Sequence, residues 1–395
     1  MNGDPTWQRQ VNGPATHAFV IGVSDYPDAK PGRGHEAKLR NVPDIASADA
    51  GAMLMADWLF EHQDDLVAPL ASLDVLHGSA AVPAGRSQYA WRHLPAPAHV
   101  LAPTRANVIA AGQAWLTRLQ QGAGNVAFFF ICGHGASKSG HHVVFLSDLN
   151  SDPFDPWGAH IDMSRLANAF RQQPSIGAGL FYADACQEFL PVFELADSST
   201  GVRFFPPNSP FLSNSDKVSL VSAASHNMLA YEGEWSDDPS VRIGRFTETL
   251  VDALGTSVRE DNQRWLVHSG SIQEDLKHLH RARRPEWNTL PFEPTFGMTP
   301  NERLPIAHVA DPVVPIVVIT DPPDRMASCA LSIHLRPDQL DEPIDSRPAG
   351  NANQWVPRLK ASAQNHLLAA RLGAKLHTAT FTPRSPLFDQ KVPVS

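Results

Sequence analysis

Residues 127–132, Ala-Phe-Phe-Phe-Ile-Cys, offer no polar position to turn toward water. A strand with one wet face alternates apolar and polar residues. An unbroken apolar run therefore predicts a strand buried on both faces, as in a parallel sheet covered by helices. The run stops on Gly133, His134 and Gly135. An imidazole between two residues without side chains, at the rim of a sheet, is either a plain turn or a base held with open space beside it.

The rest of the chain agrees with a covered sheet. Short apolar runs at 17–26, 70–78, 178–186 and 217–225 read as further strands, and residues 141–148 as a small hairpin arm. Between them, apolar residues recur at three- and four-residue steps in 45–63, 104–122, 160–173, 245–255 and 271–284, which predicts helices. Thr104 is a suitable N-cap for the second of these. Strands alternating with helices call for right-handed crossovers and an α/β architecture, with a mostly parallel central sheet and helices on both faces. In such sheets ligands bind beyond the carboxyl ends of the strands.

Thirty-four prolines crowd residues 83–103, 191–210 and 284–348, which read as loops and linkers. The expected organisation is a tail over 1–14, a main domain over 15–299, and a C-terminal extension or small module over 300–395. In that extension, 329–337 reads as a strand and 359–377 as a helix.

Composition excludes several function classes. A formal net charge of −9 with no long basic run speaks against nucleic acid; the densest basic cluster, 281–287, reads as a solvated helix end. No stretch reaches the ~18 apolar residues of a membrane span. The N-terminal residues have neither the basic start nor the apolar core of a signal peptide. Three cysteines, Cys132, Cys186 and Cys329, cannot frame a disulfide scaffold in 395 residues and fit a reducing, cytoplasmic compartment.

Two strand ends carry chemistry. His134 ends the run described above, and Cys186 ends the next strand, 52 positions later. A thiol becomes a strong nucleophile on losing its proton, and a neighbouring imidazole can take that proton. The backbone N–H groups of Gly135 and Cys186 are candidates for an oxyanion hole. Cys132 shares a strand face with His134 but is fixed inside the strand, so it is not expected to be the nucleophile. The neighbours His141 and His142 point to opposite faces and make no metal pair; both are expected in solvent. Acidic residues 236–240 lack the spacing of a calcium loop.

The segment FFFICGHG followed about fifty residues on by LFYADAC resembles the caspase-like clan of cysteine proteases, which includes caspases, metacaspases and bacterial relatives. HAFVIGVSDY, ASADAGAMLMADWL and GRFTETLVDALG are similar to that family's first strand, first helix and the helix after the fifth strand, so the likeness covers roughly residues 15–285. It implies a caspase-like fold with a His134–Cys186 dyad. Where caspases carry a Gln-Ala-Cys-Arg-Gly type of sequence, this chain has Asp184-Ala185-Cys186-Gln187-Glu188. The aspartate two before the cysteine is like that of metacaspases, where it selects Arg or Lys before the cut. Side chains two apart on a strand share a face, which puts Asp184 beneath Cys186.

Asp25 is then a candidate to deepen the acidic pocket, and Ser222, Ala223 and Glu232 are weaker candidates for substrate contacts. Arg203, in the long linker after Cys186, is the candidate self-cleavage site. The resemblance further implies a protein substrate and, for bacterial relatives, a role in regulated cell death or antiphage defence through a partner such as a pore-forming protein. No cofactor is required by this chemistry, although some metacaspases need calcium. The alternative is a catalytically idle scaffold of the same fold whose C-terminal module binds a partner.

Overall fold

The computed structural model describes residues 4–78, 81–97, 100–173, 175–194, 201–205, 217–283, 291–298, 303–335, 340 and 342–394. The chain is α/β and divides into two compact units, one formed by Met1–Val251 with Phe292–Leu304 and the other by Asp252–Pro291 with Pro305–Ser395.

In chain order the first unit carries β1 (Trp7–Gln8), β2 (Thr16–Gly22), α1 (Ala46–Glu61), β3 (Leu70–His77), α2 (Arg105–Gln120) and β4 (Asn125–Cys132). Then come β5 (Gly135–Lys138), β6 (His141–Phe145), β7 (His160–Asp162), α3 (Met163–Arg171), β8 (Ile176–Asp184), β9 (Glu188–Phe189) and the single turn α4 (Pro191–Glu194). They are followed by β10 (Val218–Ser222), β11 (Glu232–Glu234), β12 (Arg242–Gly244) and α5 (Arg245–Thr256), whose residues from Asp252 on are counted in the second unit. A seven-stranded sheet runs β1-β3-β2-β4-β8-β10 and ends on the strand Thr295–Met298. Its five central strands are parallel, and the two edge strands pair antiparallel.

The predicted double-sided burial is explicit in the alternation along β4. Phe129 and Ile131 belong to the core that includes Trp115 of α2 and Phe170 of α3. Cys132 faces the other way: a Cβ on Gly51 of α1 would lie 3.6 Å from its sulfur. Helix α1 comes close to the sheet because its contact residues are small. A Cβ on Gly22 would lie 2.7 Å from the Ala48 carbonyl oxygen and 2.8 Å from the Ala52 Cβ. Thr104 caps α2 by accepting from the Asn107 N–H, as its position predicts. Residues 160–173 begin as a strand, β7, before turning into α3, whose N-cap is Asp162.

The second unit begins earlier than the proline content suggests. The hairpin Val258–Asp261 and Arg264–His268 turns through Asn262 and Gln263, both at positive φ, and pairs with Pro305–His308. This three-stranded sheet draws residues 252–291, including α6 (Ser269–Arg283), into the same unit as 305–395. The strand expected at 329–337 is Ala330–His334.

The helix expected over 359–377 is not formed. The segment holds the strands Arg358–Lys360 and His366–Leu372 and turns at Gly373, φ +57, into Lys375–Phe381. Its Leu- and Ala-rich pattern is periodic enough for a helix. Pairing of His366–Leu372 on Ala330–His334 buries the same apolar residues as a strand, and the tertiary partner decides.

Candidate active site

Strands β4 and β8 are adjacent and parallel, with Cys132 opposite Asp184. The pairing continues one step, since the Gly133 N–H donates to the Asp184 carbonyl at 3.2 Å. His134 and Cys186 therefore leave the sheet side by side at its carboxyl edge. Both expected dyad residues come from strands whose odd and even faces are fixed by core packing, so the parity that aims them is not free to slip.

The His134 backbone is fully engaged. Its N–H donates to the Tyr26 hydroxyl at 2.8 Å, that hydroxyl donates to the Val23 carbonyl, and the His134 carbonyl accepts from the Phe145 N–H at 2.9 Å. On the ring, Nε2 lies 3.0 Å from the Pro43 carbonyl oxygen. A carbonyl only accepts, so Nε2 carries the proton and Nδ1 of the neutral ring keeps its lone pair. Burial lowers the His134 pKa, with the Pro43 carbonyl and the charge of Glu232 acting against it. The ring is thus neutral near pH 7 and able to accept a proton.

Gly135 is required by contact. A Cβ there would lie 2.6 Å from the Cys186 carbonyl oxygen and 2.8 Å from the Ala185 Cβ. Because Phe145 N–H bonds His134 rather than Gly135, Gly135 and Val144 form a non-hydrogen-bonded pair. The Gly135 N–H is consequently aimed away from β6, toward β9 and the segment that follows Cys186.

Cys186 is half-buried and free. Its sulfur accepts from the Ala230 N–H at 3.3 Å, and the thiol donates to the Ala230 carbonyl at 3.7 Å. Burial raises the thiol pKa; the Ala230 N–H opposes that rise, and the charges of Asp184 and Glu188 add to it. At neutral pH the sulfur is protonated. Among the described residues its hydrogen bonds go to Ala230, not to His134.

The acidic candidates fall into two groups. Asp184 is buried, and its Oδ2 accepts from the Thr247 N–H at 3.1 Å and the Thr247 hydroxyl at 2.5 Å, in the first turn of α5. A Cβ on Gly244 would come within 2.0 Å of that oxygen, so only glycine fits beside it. Burial pushes the Asp184 pKa up to about 6, against the Thr247 bonds. Asp25 is half-buried, and its pKa is raised by burial and by the neighbouring Asp44, which pairs with Lys30.

Glu232 pairs with Arg242, 2.8 Å away, and lines a cleft of about 80 Å³ with Asp44, Asp49, Arg86 and Tyr89. Its charge acts on both His134 and Asp184.

Other sequence candidates are placed differently. Ser222 and Ala223 are 3% and 4% exposed. The Ser222 hydroxyl bonds Nδ1 of His142, and the Ala223 N–H extends the sheet ladder to Ala183. His142, expected in solvent, is buried against Ser222, whereas His141 is partly exposed and pairs with Asp162. The two rings do point to opposite faces. In residues 236–240, Asp238 is held by the N–H and hydroxyl of Ser240.

Arg203 is exposed, but its neighbours are anchored. The Val202 N–H donates to the His160 carbonyl, Phe204 packs near Phe19, and Phe205 lies 5.2 Å from Phe170. A Cβ on Gly112 would come within 2.3 Å of the Phe204 ring. The bond after Arg203 thus leads straight into a buried side chain. The rest of the linker, 195–200 and 206–216, lies outside the described residues.

Tyr26, Pro43, Ala230 and Thr247 are contributions that motif reading missed. Pro43 and Ala230 act through backbone atoms, which leave no mark in side-chain chemistry. Tyr26 follows Asp25 at the end of the first strand, where its position was the only signal.

No family model matches the chain. It is similar to the uncharacterized protein y4kE of Sinorhizobium fredii, with 29% identity over 193 residues, covering 47% of this chain and 50% of that protein. The chain spans about half the length of that curated relative.

Proposed function

We propose that the chain is a caspase-like cysteine endopeptidase that cleaves protein substrates after Arg or Lys. The observation that carries the reading is the pairing of His134 and Cys186 at the ends of adjacent parallel strands, with His134 Nε2 tied to Pro43. Five parallel strands with helices on both faces support the fold half of the reading.

In the reaction, Nδ1 of His134 removes the thiol proton and Cys186 Sγ attacks the scissile carbonyl carbon. The N–H groups of Gly135 and Cys186 receive the oxyanion. The C–N bond then breaks as His134 returns the proton to the leaving amine. Water, deprotonated by His134, attacks the thioester and frees the thiol and the new carboxylate. Asp184, Glu232 and Asp25 supply negative charge for the basic side chain before the cut. No metal or cofactor is part of this scheme.

By likeness to bacterial members of the clan, the proposed setting is cytoplasmic, in regulated cell death or antiphage defence, with a pore-forming protein as the cleaved partner. No helix among the described residues is long and apolar enough to cross a membrane.

One observation favours a second reading, an idle scaffold whose C-terminal unit binds a partner: the thiol rests on Ala230 rather than on His134. Fluorogenic peptides with Arg, Lys, Asp or Ala before the cut, offered to wild type and Cys186→Ala, separate the two. Hydrolysis after Arg or Lys that disappears in the variant is expected. Hydrolysis after Asp discards the role of Asp184, and silence with an unreactive thiol toward an alkylating probe favours the scaffold.

A further inference from the structure

We propose that residues 30–40, the basic middle of the loop joining β2 to α1, dock acidic residues of the substrate on the carboxyl side of the scissile bond, an inference that rests on the peptidase reading. Residues 30–40 carry Lys30, Arg33, Lys38 and Arg40, with His35, against the single carboxylate Glu36, in a chain whose net charge is −9. Two of the cations are engaged: Lys30 by Asp44, and Arg40 by the Gly34 and His35 carbonyls. Glu36 turns its carboxylate to the Lys38 N–H. Arg33, His35 and Lys38 are exposed, and among the described residues no side chain pairs with the Arg33 guanidinium or the Lys38 ammonium.

The loop is held in shape before any substrate arrives. Asn150, fully buried, accepts the N–H groups of His35 at 3.0 Å and Glu36 at 2.6 Å and donates to the Asp28 and Glu36 carbonyls. Gly34, at φ +67, has no room for a Cβ beside Asp28 and Asn150. Leu39 is buried, and the Val42 N–H bonds Ala29. Charges fixed on a rigid support lose little entropy when they meet a partner.

Reaction geometry says which part of the substrate lies there. The loop's far end, the Pro43 carbonyl, is the hydrogen-bond partner of His134. His134 must reach the leaving amine to protonate it. Residues after the cut therefore pass on the His134 side, along the basic loop. Residues before the cut meet Asp184 and Glu232. A substrate with a basic residue before the cut and carboxylates after it is complementary on both sides.

Internally quenched peptides identical up to the Arg, but with four acidic, neutral or basic residues after it, test this. Wild type is expected to favour the acidic over the neutral peptide about tenfold in kcat/KM at low ionic strength, with the preference fading near about 0.5 M salt. Arg33→Glu/Lys38→Glu should reverse the order. An Arg–coumarin amide, which has nothing but the dye after the cut, should be turned over equally by both. Equal preference in wild type, or a preference untouched by the double variant, overturns the proposal. Failure of every substrate, the coumarin amide included, would instead remove the peptidase reading. The loop is then judged by fluorescence anisotropy of the labelled acidic peptide on Cys186→Ala: weaker binding with Arg33→Glu/Lys38→Glu added supports the docking surface, and unchanged binding rejects it.

Discussion

Cys132 and Cys186 are free thiols near the ends of neighbouring strands on one face of one sheet, and their surroundings differ in kind. Cys132 is 5% exposed, with Gly51 of α1 beside its sulfur. Burial raises its pKa, and the charges of Asp184, Glu232 and Asp49 raise it further. Cys186 lies past the strand end, half-buried, with the Ala230 N–H aimed at its sulfur. Burial raises its pKa too, but here a hydrogen bond resists. The lesson is positional. Two residues of chain beyond the end of the strand turn a core position into a half-buried one that a backbone donor reaches.

The largest expected effect takes that contrast at face value. Cys186→Ala should remove peptide hydrolysis, a loss on the order of 10⁴-fold or more, as when a nucleophile is deleted from a catalytic unit. Cys132→Ala should leave kcat/KM nearly unchanged but lower unfolding stability by about 1 kcal/mol through lost packing. Steady-state kinetics and urea titration on the two variants measure both quantities. A kinetic loss at Cys132 with retention at Cys186 would reverse the assignment.

Asp184 sharpens the comparison because its charge acts on both thiols. Its folded-state pKa of about 6 lies above the ordinary carboxylate value of 3.8. Between those two values the folded chain binds more protons than the unfolded chain, so the Asp184 contribution to stability is full below pH ~4 and falls as pH rises toward ~6. Asp184→Asn removes that slope. The stability of wild type relative to the variant should drop by about 3 kcal/mol across this window and stay level above it. Denaturant titrations at pH 4, 5, 6 and 7 would show a parallel pair of curves if the carboxylate were ordinary. The same substitution lowers both thiol pKa values, and it weakens cleavage after Arg if Asp184 reads the basic side chain.

How much of this was legible depended on what carries each feature. The parallel sheet showed in the apolar runs 128–132 and 178–183, because double-sided burial leaves no other pattern. His134 and Cys186 stood out because their chemistry is in the side chain, and the structure sets them just past the ends of neighbouring parallel strands; the peptide assays above decide whether they act as a pair. The hydrogen-bonding demand of Asp184 did not show, since Thr247 lies far along the chain and becomes its partner only when α5 folds beneath β8. The strands within 359–377 were hidden by a helix-like period that pairing overrode. Short strands such as β5, β9, β11 and β12 have too few residues to display a period. His142 looked like a surface residue until Ser222, on another strand, gave its ring a buried partner.

The smallest effect concerns the base rather than the thiols. Tyr26 is fully buried, with its ring 5.2 Å from that of His134, and its hydroxyl accepts the His134 N–H while donating to Val23. Tyr26→Phe keeps the ring and its packing but strands two backbone groups. An unsatisfied buried donor costs about 1–3 kcal/mol, and the adjoining bond of Val23 N–H to the Cys132 carbonyl should loosen with it. The His134 ring would keep its Pro43 tie yet wander at its root, so kcat is expected to fall about tenfold with KM little changed, because positioning of a base acts on the chemical step. The pH–rate profile should keep its shape, since the hydroxyl is too hard to ionise to contribute charge. A moved acid limb would mean that Tyr26 tunes the His134 pKa instead of its place. Unchanged kcat with lost stability would make Tyr26 a fold residue alone, and would leave Pro43 as the tie that holds the His134 ring.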